Sequence, residues 1–423
     1  MDFQPFRSFA ENLDSRDPLA SYRARFVITD PGLVYLDGNS LGRLTHTSLD
    51  RVQQVAEQEW GTGLIRGWNK NWWEAPVRVG EKIARLVGAA PGQVIACDTT
   101  SVNLFKLASA ALALRPNRTR IITDTLNFPS DLYILQGLVH SLGGQHTILR
   151  ISSPDGDVTP DLDAITAAID DSTALLTLSH VTFKSGYLYD MAACTDMAHH
   201  HGALVIWDLS HSAGAVPVAL DACNADFAIG CTYKYLNGGP GAPAFLYIRK
   251  ELQEQVVSPI CGWWGQNAPF AFGLDYIPAP GATRFLTGSQ PILSLLAMEA
   301  ALDPLLEAGL DRLRAKSLLL GEYLVYLSDT LLSPLGFRLG SPRNPERRGS
   351  HISLHHPEGY RINRALIEEM NVLPDFREPD NLRLGLTPLY TSFSEVWEGM
   401  ERIRQVTAEK RYEKYPAQRL TVT

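Results

Sequence analysis

The chain has 423 residues, 45% hydrophobic and 20% charged, with a formal net charge of -8, which suits two to three domains around a large core and excludes a phosphate-backbone binder, whose affinity needs clustered Lys and Arg. Basic runs such as "RNPERR" at 343–348 are short and read as solvated surface. Five cysteines with no C-x-x-C pair or metal-ligand spacing, no signal-peptide pattern and no apolar run of about 18 residues predict a reduced, cytoplasmic protein that does not span a membrane.

In chain order, "DTTSVNLFKLASAALAL" predicts a helix with Thr100 and Ser101 at its start, where hydroxyls and free N–H groups can act as plain caps or cradle a phosphate. From about residue 119, apolar runs "RIIT", "TILRI", "ALLTL" and "ALVIWD" alternate with helix-like "SDLYILQGLVHSLG" and "DMAACTDMAHHHG". Strand and helix in turn predict an α/β fold with a mostly parallel sheet covered on both faces. "ADFAIGC" and "AFLYI" follow too closely for a full helix between them, so the sheet is expected to be mixed, with ligands beyond the carboxyl ends of its strands. A helical stretch from "GSQPILSLLAMEAALDPLLEAG" through "LDRLRAKSLLLGEYLVYLSDTLL" then gives way to strand-like "GSHISLH" and "NLRLGL", and the domain boundary is placed near residue 305.

Lys234, between Tyr233 and Tyr235 at the end of an apolar run and against "NGGPGAP", is an amine where burial is expected. Asp208 ends the predicted strand "ALVIWD". It either caps the next segment or, with a later lysine, meets what pyridoxal phosphate chemistry requires, a carboxylate to keep the pyridine nitrogen protonated and an amine for the Schiff base. An apolar surround that lowers the lysine pKa would favour the neutral nucleophile. Phe128 in "LNFPSD" follows a strand and can stack on a ring or pack in the core, and His211, three residues after Asp208, is close enough to support the ring.

These residues, with "YLDGNSLGRL", "EWGTGLIRGWN", "RVGEKIARLVGA", "NFPSD", "WDLSHSAGAVPV", "GWWG", "FLTGSQPIL" and "LRLGLTPLYTSF", make the chain resemble the kynureninases over nearly its whole length. They are fold-type-I pyridoxal phosphate enzymes of the class V aminotransferase group. The resemblance implies a large cofactor domain over 51–305, a smaller C-terminal α/β domain over 306–423, and residues 1–50 completing the small domain and the active-site entrance. It implies that Lys234 carries the cofactor, that Asp208 pairs with the ring nitrogen, and that Phe128 lies over the ring with Pro129, Ser130 and Asp131 in the same loop. Thr100, Ser101 and Tyr233 would hold the phosphate, and Ser179 and His211 would sit near the ring. Trp263 and Ser289 would reach the site of the partner subunit in a homodimer with shared active sites. Arg383 would clamp the substrate's α-carboxylate, for which a planar two-pronged donor is suited.

The implied reaction is hydrolysis of L-kynurenine, or its 3-hydroxy derivative, to the anthranilate and L-alanine. Lys234 would move the α-proton, and Tyr233, acidified by nearby positive charge, would protonate the β-carbon. Trp68, Trp72 and Trp73 could line an aromatic substrate pocket or be core or interface residues. Two rival readings are a cysteine desulfurase or selenocysteine lyase, for which Cys261 is the candidate nucleophile though its apolar and aromatic neighbours suit an inert thiol, and a catalytically silent cofactor-binding protein.

Overall fold

A computed structural model describes residues 2–418. Its centre is a seven-stranded sheet running across as Val94–Ala96, Phe245–Ile248, Phe227–Gly230, Leu204–Asp208, Thr173–Ser179, Arg120–Asp124 and Thr147–Ile151. All neighbours are parallel except those of Phe245–Ile248, which runs against both its neighbours. Every residue of Thr173–Ser179 and Leu204–Asp208 is buried, because helices cover both faces of a parallel sheet and both sets of alternating side chains enter a core. Leu176, Leu178, Val205 and Trp207 join one apolar cluster, and Leu175, Leu204 and Ile206 join the cluster on the other face.

The predicted α/β class, the mostly parallel sheet and its mixed character hold, with the antiparallel strand at "AFLYI". The edge strand Val94–Ala96 was not predicted. Only three residues long, it is shorter than the runs by which a strand is recognised in sequence. The long helical stretch breaks into Ile292–Ala301, Asp303–Ala308 and Leu310–Leu327, and Gly309 takes the positive φ of 79° needed where the last helix changes direction.

A third apolar cluster gathers Leu320 and Leu324 of that last helix with Ile352, Leu382, Leu384 and Met400, and takes in Ala10, Leu13, Val34 and Leu36 from the start of the chain. Its sheet is antiparallel, in the order Asp375–Arg377, Asn381–Gly385, His351–His355, Arg338–Leu339. Val34–Tyr35 pairs in parallel with Val372–Leu373, so the segment "LDGNSLG" enters between this small sheet and the large one. No helix among the described residues is long and apolar enough to cross a membrane.

Candidate active site

Beyond the carboxyl ends of the parallel strands lies a cavity of about 330 Å³, lined by Thr100, Ser101, Phe128, Ser130, Asp131, Ser179, Asp208, His211, Tyr233 and Lys234 among others. The topology brings these distant residues together. Ser179 and Asp208 end adjacent parallel strands and stand opposite each other in register. Lys234 rides the connection from Phe227–Gly230 to the antiparallel Phe245–Ile248, so that the chain leaves and re-enters the sheet at the same end. Two helices, Thr100–Ala113 and Pro129–Ser141, begin at the cavity and turn their positive ends towards it. Their first turns touch through Ser101 Oγ and Ser130 Oγ, 3.1 Å apart.

The capping question at the first of these helices is resolved by Thr99. Its side chain accepts from the Val102 N–H at 3.3 Å, which leaves Thr100 and Ser101 free of that duty and facing the cavity. Phe128 stands edge-on to Phe183, with centroids 5.2 Å apart, and the Lys234 Nζ is 5.9 Å from its ring centre. Ser179 Oγ donates to Asn127 Oδ1 at 2.6 Å, a contact no sequence pattern indicated. Lys234 Nζ lies 3.0 Å from His211 Nε2.

The cavity gathers two buried carboxyls. Asp208 Oδ1 accepts from the Ser210 N–H at 2.8 Å, and burial raises its pKa against the opposing pull of Ser210 and Lys234. Burial, followed by repulsion from Asp208, pushes Asp131 well above the usual carboxylate range, and its Oδ2 has no hydrogen-bond partner. Two buried carboxyls side by side, one with an orphaned oxygen, await a cationic N–H. Pyridoxal phosphate fits this donor set: a protonated ring nitrogen for the carboxylates, a phosphate for the two helix starts with their hydroxyls, and an aldehyde for Lys234.

Tyr233 departs from expectation. Burial raises its pKa, and neighbouring Cys231 and Asp208 push in the same direction, while Arg377 opposes them weakly. The phenol is therefore not acidified in this environment. Arg383 lies outside the cavity lining and is buried, with its fork fully engaged. Nη1 donates to the Phe183 carbonyl at 2.6 Å, Nη2 to Ser40 Oγ at 2.9 Å and to Asp375, and Nε to the Asn39 amide oxygen at 2.8 Å. Sequence reasoning missed Asn39, Ser40 and Asp375, although "DGNSLG" carried the signal that a glycine-flanked polar pair approaches another backbone closely.

Pro129, Trp263 and Ser289 do not line the cavity. Trp263 and Ser289 are exposed. Trp68 and Trp73 pack on the "GWWG" turn, Trp73 stacking on Trp264 at 5.0 Å, while Trp72 donates to Glu59 Oε2 at 2.8 Å. None of the three reaches the cavity. Cys261 is exposed and also outside it. The thiol that does line the cavity, Cys231, is buried, and burial raises its pKa, the opposite of an activated nucleophile.

Residues 313–403 match the family model for the kynureninase C-terminal domain. The chain is 45% identical to a kynureninase of Pseudomonas fluorescens over 403 residues, 94% of each chain. It is 45% identical to one of Burkholderia pseudomallei (strain 1106a) over 405 residues, 95% of each. Among solved structures it resembles an apo cysteine desulfurase of Thermococcus onnurineus, with TM-score 0.77 and 20% identity over 92% of this chain and 98% of that one. A cysteine desulfurase of Escherichia coli gives TM-score 0.78 at 18% identity, again over 92% and 98%. At such identities the structural likeness establishes the fold.

Proposed function

Because the chain belongs to the kynureninase family, we propose that it hydrolyses L-kynurenine to anthranilate and L-alanine at the cavity around Lys234. The observation that carries this reading is 45% identity across 94% of both chains, which spans the Lys234 turn and the Arg383 strand alike. The protein is a pyridoxal phosphate-dependent hydrolase of carbon–carbon bonds. When bound, the cofactor supplies an electrophilic carbon for the substrate amine and a protonated ring that draws electrons from the bonds around the α-carbon.

The remaining work falls to the chain. Lys234 anchors the cofactor through Nζ, and its amine, once freed by substrate, carries the α-proton, with His211 Nε2 at 3.0 Å to share it. Asp208, seconded by Asp131, keeps the ring nitrogen protonated, beside Ser179. Thr100, Ser101 and Ser130 hold the phosphate with the N–H groups of their helix starts and with Tyr233, and Phe128, set by Pro129 at the helix start, covers the ring face. Arg383 takes the α-carboxylate by exchanging its Ser40 and Asp375 contacts for it. Water adds to the γ-carbonyl carbon, which leaves as the carboxyl of anthranilate when the Cβ–Cγ bond breaks, and Tyr233, kept protonated at neutral pH by burial, gives its proton to the β-carbon.

Trp263 and Ser289 complete the partner's site in a two-fold homodimer. Both are exposed in their own chain, and Trp263 belongs to an aromatic surface running from Trp72 through Trp68 to Phe270. Within each chain the division into 1–50, 51–305 and 306–423 stands as our reading. Five free thiols support the cytoplasm as its compartment.

The purified protein, supplied with pyridoxal phosphate and L-kynurenine, should release anthranilate, followed by fluorescence, and alanine in equal amounts. Sulfide from cysteine without any anthranilate from kynurenine would overturn the reading in favour of a desulfurase.

A further inference from the structure

Ser179 and Asp208 end neighbouring parallel strands opposite each other, and both face the cavity. The strand on the far side of Ser179, Arg120–Asp124, leads into a short turn that holds Asn127, 1% exposed and outside the cavity lining. Both polar ends of the Asn127 side chain are engaged. Its Nδ2 donates to Thr123 Oγ1 at 3.2 Å, while its Oδ1 accepts the Phe128 N–H at 3.1 Å and lies 2.6 Å from Ser179 Oγ. The Asn127 N–H, donating to Asp124 Oδ1 at 2.9 Å, ties the turn to the same strand end.

These bonds fix which atom gives the proton. A backbone N–H only donates, so the amide atom that meets Phe128 is the oxygen, and an amide oxygen only accepts. Ser179 is therefore the donor in its bond to Asn127, and a hydroxyl has one proton. Ser179 also stands near enough to Asp208 to bear on it, but it has no second proton to give. Towards the cavity it offers lone pairs alone.

We infer that Asn127 is a positioning residue for Asp208: by taking the proton of Ser179 it denies the carboxyl a competing hydrogen bond and leaves it for the ring nitrogen of the cofactor. A carboxylate that already accepts from a hydroxyl holds a further proton less tightly. The other groups around Asp208 are Ser210, whose N–H it accepts at 2.8 Å, Asp131 in the first turn of the second helix, and Cys231, Tyr233 and Lys234 of the lysine loop. Of the side chains facing Asp208, the one hydrogen-bonded to Asn127 is Ser179. The consequence at the ring nitrogen rests on the cofactor site proposed above, whereas the hydrogen bonds do not.

The test titrates Asp208 in the cofactor-free protein through the carbon-13 resonance of its carboxyl, assigned with Asp208→Asn. Asn127→Leu frees the Ser179 proton for Asp208, so the midpoint should fall. Ser179→Ala removes only an acceptor, so the midpoint should not rise, and adding Asn127→Leu in that background should change nothing further. In the loaded enzyme, with nitrogen-15 in the cofactor ring, Asn127→Leu should lower the protonated share of the ring nitrogen. Its kcat should drop roughly tenfold, less than the ~10²–10⁴-fold of a group that itself transfers the proton, with KM hardly changed. An unchanged midpoint in Asn127→Leu, or a fall that persists without the Ser179 hydroxyl, would overturn the inference. So would a midpoint that rises in Ser179→Ala, because Ser179 would then already be donating to Asp208, and this variant decides the matter even if the leucine variant fails to fold. Because Asp208 is titrated without cofactor or substrate, failure of the kynurenine reaction would leave this result standing, and the reverse.

Discussion

Asp131 and Asp208 line one cavity as buried carboxyls, each with its pKa raised, and the charge on Asp208 is part of what raises Asp131. A carboxyl that binds its proton more tightly in the folded chain contributes stability in full below the ordinary value of 3.8 and loses it as pH rises through the folded value. The cofactor-free protein should therefore become less stable as pH climbs from about 4 through the raised values. Asp131→Asn should flatten that slope, raising Tm more at pH 8 than at pH 4. Thermal melts across that range check it, and parallel curves for the two proteins would contradict it.

Lys234→Ala removes the anchor and the proton carrier together. Activity should fall on the order of 10⁴-fold, and borohydride should no longer fix the cofactor to the chain. Substantial turnover in a cofactor-loaded variant would show that another group carries the proton.

Arg383→Lys keeps the charge but loses the planar fork that serves Asn39, Ser40, Asp375 and the Phe183 carbonyl at once. Losing one charge-assisted bond to the substrate, worth about 1.5–3 kcal/mol, should raise KM for kynurenine roughly tenfold to a hundredfold with little change in cofactor affinity. Steady-state kinetics and a cofactor titration separate the two.

Gly42 N–H donates to the Tyr233 carbonyl at 2.8 Å. A Cβ at this position would collide with the Lys234 carbonyl and stand 2.8 Å from Asn237 Cα. Gly42→Ala should cost about 1–3 kcal/mol as overpacking and should shift the lysine turn, so urea unfolding and cofactor binding should both weaken. A variant with normal stability and activity would show that the segment yields more easily than its contacts indicate.

If Ser289 serves the partner's site, a bulky replacement such as Ser289→Tyr and Lys234→Ala should complement each other. A mixed two-fold dimer has one site with both lesions and one with neither, so each heterodimer should recover about half of the wild-type activity. Verified heterodimers that stay inactive would return Ser289 to its own chain.

Much of the large sheet was legible because a strand buried on both faces is apolar along most of its length, as "ALLTL" and "ALVIWD" are. Asp208 and Lys234 stood out for a related reason, as polar groups at the ends of such runs. The sequence by itself determined the α/β class, the mixed sheet and, through its resemblance, the family, since these depend on patterns within a few residues of one another or on long runs of matching residues. Only the tertiary structure decided that Thr99 takes the cap and leaves Thr100 and Ser101 free, that burial raises the Tyr233 pKa, that Asn39, Ser40 and Asp375 occupy Arg383, and that His351 meets His211. Contacts between residues so far apart, and the desolvation that shifts a pKa, arise from how the two sheets and the threaded N-terminal segment close on one another, and no local propensity encodes that closure.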